Sequence, residues 1–84
     1  MEIIWDERKR LLNAEKHGLD FADLTGEFFM TAHVEPAKAG RSLAIGEFQG
    51  SIVIAVVFRA LGSEAISVIS MRRASRHERS WDNG

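Results

Sequence analysis

The chain has 84 residues, with 11 lysines and arginines, 12 acids and no cysteine. This length supports one small core, so we expect a single domain over residues 1–84. The lack of cysteine excludes disulfides and thiolate metal sites. The longest uncharged apolar run, Ser51 to Phe58, is too short to cross a membrane as a helix, and the charged N-terminus does not resemble a secretory signal. These features indicate a globular cytoplasmic protein without a membrane partner.

The charges are distributed unevenly along the chain. Residues 19–37 contain four acids and no lysine or arginine, whereas residues 72–79 contain four arginines. Such segregation can produce a basic patch that the net charge of −1 conceals. A phosphate-binding surface and a solvated tail both fit the arginine-rich end, and charge alone does not separate them.

The N-terminal half predicts a short strand followed by two helices. Residues 2–5 form an apolar run, and Asp6 is a suitable N-cap for a helix that continues to about His17. Asp20 is a suitable N-cap for a second helix. An apolar stripe of this second helix faces the core and consists of Phe21, Leu24 and Phe28.

The C-terminal half predicts four strands and a short helix. Residues 29–35 form the first strand, and residues 41–48 and 51–59 form a hairpin around Gln49-Gly50. Residues 64–71 form the last strand, and Ser75 with Glu78 makes a capping box for a helix beginning near Arg76. The order β-α-α-β-β-β-β-α predicts an α+β fold, in which helices pack against an antiparallel sheet.

One face of the first predicted helix is polar. Lys9, Asn13, Lys16 and His17 are spaced at i, i+4, i+7 and i+8, which places them along one side. An ordinary solvated stripe has the same spacing. His17 adds a chemical possibility, because a histidine at a helix end can transfer protons near cellular pH.

These residues also carry a family resemblance. The segment WDERKRLLNAEKHGLDF, residues 5–21, resembles the opening signature of the BrnT family of type II toxins, W-D-x-x-K-x-x-x-N-x-x-K-H-G-x-x-F. The later segments RSLAIG, VVFR and ISVISMRRASRHER are similar to the family's remaining motifs. The chain departs from the family pattern by having no tyrosine near its C-terminus, and at three positions, Val57, Ser67 and Met71, which the family usually fills with Thr, Arg and Ala.

The resemblance implies a small RelE-like fold and a ribonuclease activity that arrests growth. It also implies two partners, an RNA substrate and a BrnA-type DNA-binding antitoxin that covers the toxin. We expect no direct DNA binding by the toxin alone. The alternative is a non-catalytic module of a toxin–antitoxin complex that binds nucleic acid or a partner protein.

RNA cleavage without a metal requires a base, an acid and cations that stabilise the charged phosphorane. His17 is the first candidate for base or acid, and Glu47 competes with it because its strand is expected to be half-buried. Arg59 and Arg72 are the candidates for the transition-state cations, because a guanidinium pairs with two phosphate oxygens at once. We expect Arg72 to keep its guanidinium in water. The candidate RNA-binding residues are Lys9, Asn13, Lys16, Arg73 and Arg76.

The sequence predicts no metal site and no cofactor. The three histidines lack metal-ligand spacing, and the glycines are spread over separate turns instead of forming a phosphate-binding loop. Whether Arg59 and Arg72 reach the same phosphate depends on the fold, since the C-termini of antiparallel neighbours point to opposite edges of a sheet.

Overall fold

The structure is a computed structural model that describes residues 1–82. Within these residues the strands are β1 (Glu2–Trp5), β2 (His33–Pro36), β3 (Ser42–Phe48), β4 (Ile52–Leu61) and β5 (Ala65–Arg73). The helices are α1 (Glu7–His17), α2 (Gly26–Thr31) and α3 (Arg76–Asp82), and two 3-10 turns lie at Phe21–Asp23 and Lys38–Gly40. The predicted order of strands and helices is confirmed. None of the helices in residues 1–82 is long and apolar enough to cross a membrane.

The five strands form one sheet in the order β1-β5-β4-β3-β2, with β4 at its centre. The pairs β2–β3, β3–β4 and β4–β5 are antiparallel, as predicted. The prediction of a wholly antiparallel sheet is wrong at one edge, because β1 pairs with β5 in parallel. A long connection permits a parallel pair, and here residues 6–64 lie between the two strands.

Local sequence signals determine both ends of α1. The carboxylate of Asp6 accepts hydrogen bonds from the backbone N–H groups of Arg8 and Lys9. At the other end Gly18 adopts the left-handed conformation, φ 69°, and donates its N–H to the carbonyl of Ala14. A residue without a Cβ takes this conformation without strain. The predicted bounds of the first helix are therefore confirmed.

The prediction of one continuous second helix is wrong. Asp20 caps only the 3-10 turn at Phe21–Asp23, after which Leu24 is extended. Thr25 then begins α2, and its hydroxyl accepts a hydrogen bond from the N–H of Phe28. A second N-cap followed by a glycine divides the segment, because a threonine in extended conformation offers the backbone an alternative to helix. The predicted apolar stripe is still buried.

One face of the sheet forms the main core. The 3-10 turn and α2 pack their buried side chains against alternate residues of the central strands, including Ile54, Val56 and Phe58. Contact with α2 is close at Gly46, where a Cβ atom would lie 3.3 Å from both the Cβ of Ala32 and the ring of Phe28. A side chain at this position would require Ala32 and the ring of Phe28 to move by a few tenths of an ångström.

The other face of the sheet is covered only in part. A row of paired residues crosses it from β2 to β5, and consists of His33, Ile45, Ala55 and Arg72. In this row Ile45 and Ala55 are fully buried, and α3 packs against β3 and β4 there. The residues beyond this row remain half-buried or exposed, and we call them the open face: Glu35, Leu43, Val57, Arg59, Ser67 and Ser70.

A side-chain amide completes the outer edge of β5. The pairing of β1 with β5 ends at Val68, and α1 lies beside the remainder of the strand. Asn13 on α1 donates from Nδ2 to the carbonyl of Met71 at 2.9 Å and accepts from the N–H of Met71 at 3.1 Å. It also donates to the carbonyl of Leu19 at 3.3 Å. Asn13 therefore takes the place of a neighbouring strand.

This arrangement bears on the predicted RNA contact of Asn13. Asn13 is only 7% exposed, and both ends of its amide are bonded to the backbone. Asn13 therefore has a structural role at the edge of β5, and its contact with RNA stays a prediction. The helical spacing alone could not show this, because it does not reveal which residue of a polar face turns toward a strand edge.

Candidate functional site

The polar side of α1 faces a cleft at the edge of β5. Lys9, Lys16 and His17 line this cleft, whose volume is about 300 Å³. Ile69 and Ser70 of β5 line the opposite side, and Ser70 also belongs to the open face. The prediction that these polar residues share one side of a helix is confirmed. The cleft and the open face are continuous at Ser70.

Arg72 binds the last helix. Its guanidinium makes two parallel hydrogen bonds to the carboxylate of Glu78, Nη1 to Oε1 at 2.7 Å and Nη2 to Oε2 at 2.9 Å. Glu78 also accepts from the N–H of Ser75 at 2.9 Å, and Ser75 Oγ accepts from the N–H of Glu78. The predicted capping box is thereby confirmed. The Arg72 side chain is still 40% exposed, so its guanidinium is bound to α3 while it keeps contact with water.

The ion pair determines the charge state of both partners. Hydrogen bonding to Arg72 lowers the pKa of Glu78 to about 2, despite a smaller opposing effect of burial. The same contact raises the pKa of Arg72. Glu78 is therefore ionised at neutral pH and cannot serve as a general acid there. Arg72 remains a cation whose charge is partly balanced by its partner.

Arg59 lies on the same face as Arg72 but at some distance along the sheet. Arg59 pairs with Ser67, and Arg72 pairs with Ala55. The two pairs are four positions apart along β4, which corresponds to about 13 Å along the strand. The exposed Arg59 donates from Nη2 to the carbonyl of Ala39 at 3.0 Å. The two guanidinium groups do not converge on one point, and the open face lies between them.

Glu47 lies apart from the His17 cleft. It is exposed instead of half-buried, so the environment that made it a candidate acid or base is absent. Glu47 lines a different cleft, of about 450 Å³, together with Arg73 and Arg79. The buried row beneath α3 separates this cleft from the open face. The structure therefore groups Glu47 with Arg73, and not with His17.

Arg76 occupies the first turn of α3 and is exposed.

α3 also makes a structural contact that was not predicted from the sequence. Trp81 packs between the rings of His33 and His77, with centroid distances of 5.5 and 5.0 Å. It connects α3 to the β2 side of the sheet.

A second missed residue is Arg10, which connects α1 to the next turn. It donates to Asp20 at 2.9 and 3.0 Å and to Glu7 at 2.6 and 2.8 Å. The spacing of Glu7 and Arg10 was the available signal for the local half of this contact. Among residues 1–82, no three acidic or histidine side chains are grouped as metal ligands would be.

Comparisons with known proteins agree on one family. A family model described as the ribonuclease toxin, BrnT, of type II toxin–antitoxin system matches residues 5–78. A 1.1 Å crystal structure of the Brucella abortus ribonuclease toxin, BrnT, is similar with a TM-score of 0.85 and 66% sequence identity. That alignment covers 90% of this chain and 99% of that chain. No curated protein matched the chain.

The chain therefore belongs to the BrnT family of ribonuclease toxins of type II toxin–antitoxin systems. This confirms the resemblance and the predicted α+β fold class. Membership of the family implies an RNA substrate and an antitoxin partner.

The Arg72–Glu78 pair predicts a specific acid sensitivity. Because the pKa of Glu78 falls from 4.5 to about 2 on folding, its contribution to stability is complete above pH 4.5 and is lost as the pH falls toward 2. Urea titrations measure the free energy of unfolding at each pH. Between neutral pH and pH 2 this free energy should decrease by about 1–2 kcal/mol less in Glu78→Gln than in the parent, allowing for solvent screening of the partly exposed arginine. The exposed Glu15→Gln is the control and should keep the parental pH dependence. A parental dependence in Glu78→Gln would contradict the assignment.

Proposed function

We propose that this chain is a metal-independent endoribonuclease toxin that acts in the cytoplasm, with residues 1–84 forming one toxin domain. The observation that carries the proposal is the continuity of the His17 cleft with the open face. An imidazole, two lysines and two arginines border one surface. Such a surface can bind an RNA backbone and move a proton beside it.

The proposed reaction is transfer of the phosphoryl group to the neighbouring 2′-oxygen. A base takes the 2′-hydroxyl proton, the 2′-oxygen bonds to phosphorus, and the bond to the 5′-oxygen breaks as that oxygen gains a proton. The products are a 2′,3′-cyclic phosphate and a 5′-hydroxyl. His17 performs one of these two proton transfers. We do not assign the other proton transfer to Glu47, because the cleft that Glu47 lines lies beyond α3.

The remaining cations act on the RNA backbone. Lys9 and Lys16 lie beside His17, and we assign them to phosphates near the reacting one. Arg59 and Arg72 border the open face at opposite ends, so each contacts a different part of the RNA. Arg76 is exposed on α3 and extends this path. Arg73 lines the same cleft as Glu47, on the far side of α3. It therefore contacts RNA only if the RNA strand continues around α3.

Two observations favour the non-catalytic alternative. The charge of Arg72 is partly balanced by Glu78, which leaves less of it for a phosphorane. Ser67, where the family usually has arginine, pairs with Arg59 on the open face. On this alternative the chain would bind RNA or its partner without cutting.

A cleavage assay separates the two functions. The parent chain should cut unstructured RNA in EDTA, with a rate that falls as salt rises, since phosphate contacts release counterions. His17→Ala should flatten one limb of the pH–rate profile. Arg59→Ala should lower the rate about a hundredfold, as for the loss of one donor to a transition-state anion.

Arg79→Ala is the matched control, because Arg79 is exposed and lies in the Glu47 cleft. All variants should melt at temperatures close to the parent. RNA binding without fragments in the parent would support the non-catalytic module. Parental rates in both His17→Ala and Arg59→Ala would show that the reaction occurs elsewhere.

We also propose that a BrnA-type antitoxin inhibits the toxin by covering the open face. The cationic border of this surface suits acidic residues, and its half-buried Leu43 and Val57 suit apolar ones. In the complex, Lys16 should become protected from amine-reactive labelling, whereas Lys38, in the exposed turn after β2, should be labelled as in the free toxin. Equal labelling of Lys16 in both states would rule out direct covering.

A further inference from the structure

The cleft beside α1 has an apolar interior in addition to its cationic rim. Leu12 lines it from the helix and remains 57% exposed. Ile69 lines it from the sheet and is half-buried. Two aliphatic side chains therefore line one accessible cleft of about 300 Å³, from its helical and its sheet side.

A bulge in β5 places Ile69 there. Val57 pairs with Ser70 and Phe58 pairs with Val68, so Ile69 is the extra residue without a partner on β4. A bulge redirects a side chain and locally increases the twist of the strand. Here the bulge lies between the end of the β1 pairing and the Asn13 contact, at the edge that faces α1.

Polar and charged side chains surround the apolar interior of the cleft on both its sheet side and its helical side. Ser70 presents a hydroxyl at the border with the open face, two residues from Arg72 on the same side of β5. Two residues of a strand span about 6–7 Å, which is close to the separation of successive phosphates in an extended strand. Lys9 and Lys16 lie at the helical side of the cleft.

We infer that the cleft between α1 and the bulge of β5 is a nucleobase-binding subsite for the nucleotide beside the cleaved phosphate. Leu12 and Ile69 contact the faces of the base, Ser70 bonds to its edge, and Lys9 and Lys16 hold the adjoining phosphates. This subsite rests on the proposed ribonuclease function and adds a specificity determinant to it.

The same chemistry would also suit an apolar side chain of an acidic peptide. The continuity of Ser70 with the open face favours the nucleotide, because a base in the cleft places its own phosphate on the surface between Arg59 and Arg72. An apolar side chain of a peptide in the cleft carries no phosphate and does not need the neighbouring arginines. We therefore treat the peptide as an outcome of the test.

The experiment compares a base with its absence. In a set of RNA oligonucleotides, one 2′-hydroxyl is kept, the others are replaced by fluorine, and the nucleotide on either side is a normal or an abasic residue. The ratio of kcat/KM for base over abasic substrate isolates the subsite from general losses of rate. Leu12→Ala should reduce this ratio about tenfold, as expected for aliphatic carbons lost from an apolar pocket.

Leu11→Ala is the matched control, because Leu11 is 56% exposed on the same helix and does not line the cleft. It should leave the ratio unchanged. Ser70→Ala should alter which base is preferred, measured as a change in the order of the base-over-abasic ratios. Affinities for a fully 2′-fluorinated pair, with and without the base, give a ratio of binding constants that tests the subsite independently of cleavage.

The outcomes are distinguishable. A parent chain that binds these oligonucleotides without cutting refutes the proposed function, while the ratio of affinities still tests the subsite. Equal values for base and abasic partners, or equal ratios in Leu12→Ala and Leu11→Ala, overturn the subsite. If Leu12→Ala weakens antitoxin binding and leaves the ratio intact, the cleft holds a peptide and the inference is wrong.

Discussion

The hydrogen bonds between the Asn13 amide and the backbone of Met71 are the contact on which the candidate site depends. When β1 ends at Val68, the outer edge of β5 would leave a buried N–H and C=O without partners, each at a cost of about 1–3 kcal/mol. The amide satisfies both groups and thereby fixes the rotation of α1. Lys9, Lys16 and His17, one helical turn before or after Asn13, must then face the cleft.

Two consecutive residues of β5 hold the two helices that border the open face. The backbone of Met71 binds α1 through Asn13, and the side chain of Arg72 binds α3 through Glu78. A change in the twist or register of this strand would therefore move both helices. The bulge at Ile69 lies just before these residues. The geometry of the strand thus couples the apolar cleft, the imidazole and the arginine.

Predictions from the sequence were correct for helix ends and turns that depend on residues close together in the chain. Asp6 and Gly18 bound α1, Gln49-Gly50 closes the hairpin, and Ser75 with Glu78 caps α3, because each contact lies within a few residues. The predictions were wrong or incomplete where a contact joins segments that are far apart in the chain. The polar face of α1 gave no sign that Asn13 would bond to a residue 58 positions away. Likewise, the position of Glu47 depends on how α3 crosses the sheet.

The most direct test of this account is the hydrogen exchange of the Met71 amide in the native protein. Its N–H points to the outer edge of β5, where the acceptor is the side-chain oxygen of Asn13. We predict that this amide exchanges as slowly as the β5 amides bonded to β4, because its hydrogen bond opens only when α1 leaves the strand. Exchange as fast as that of an amide open to water would contradict the account, since α1 would then not be fixed beside the open face.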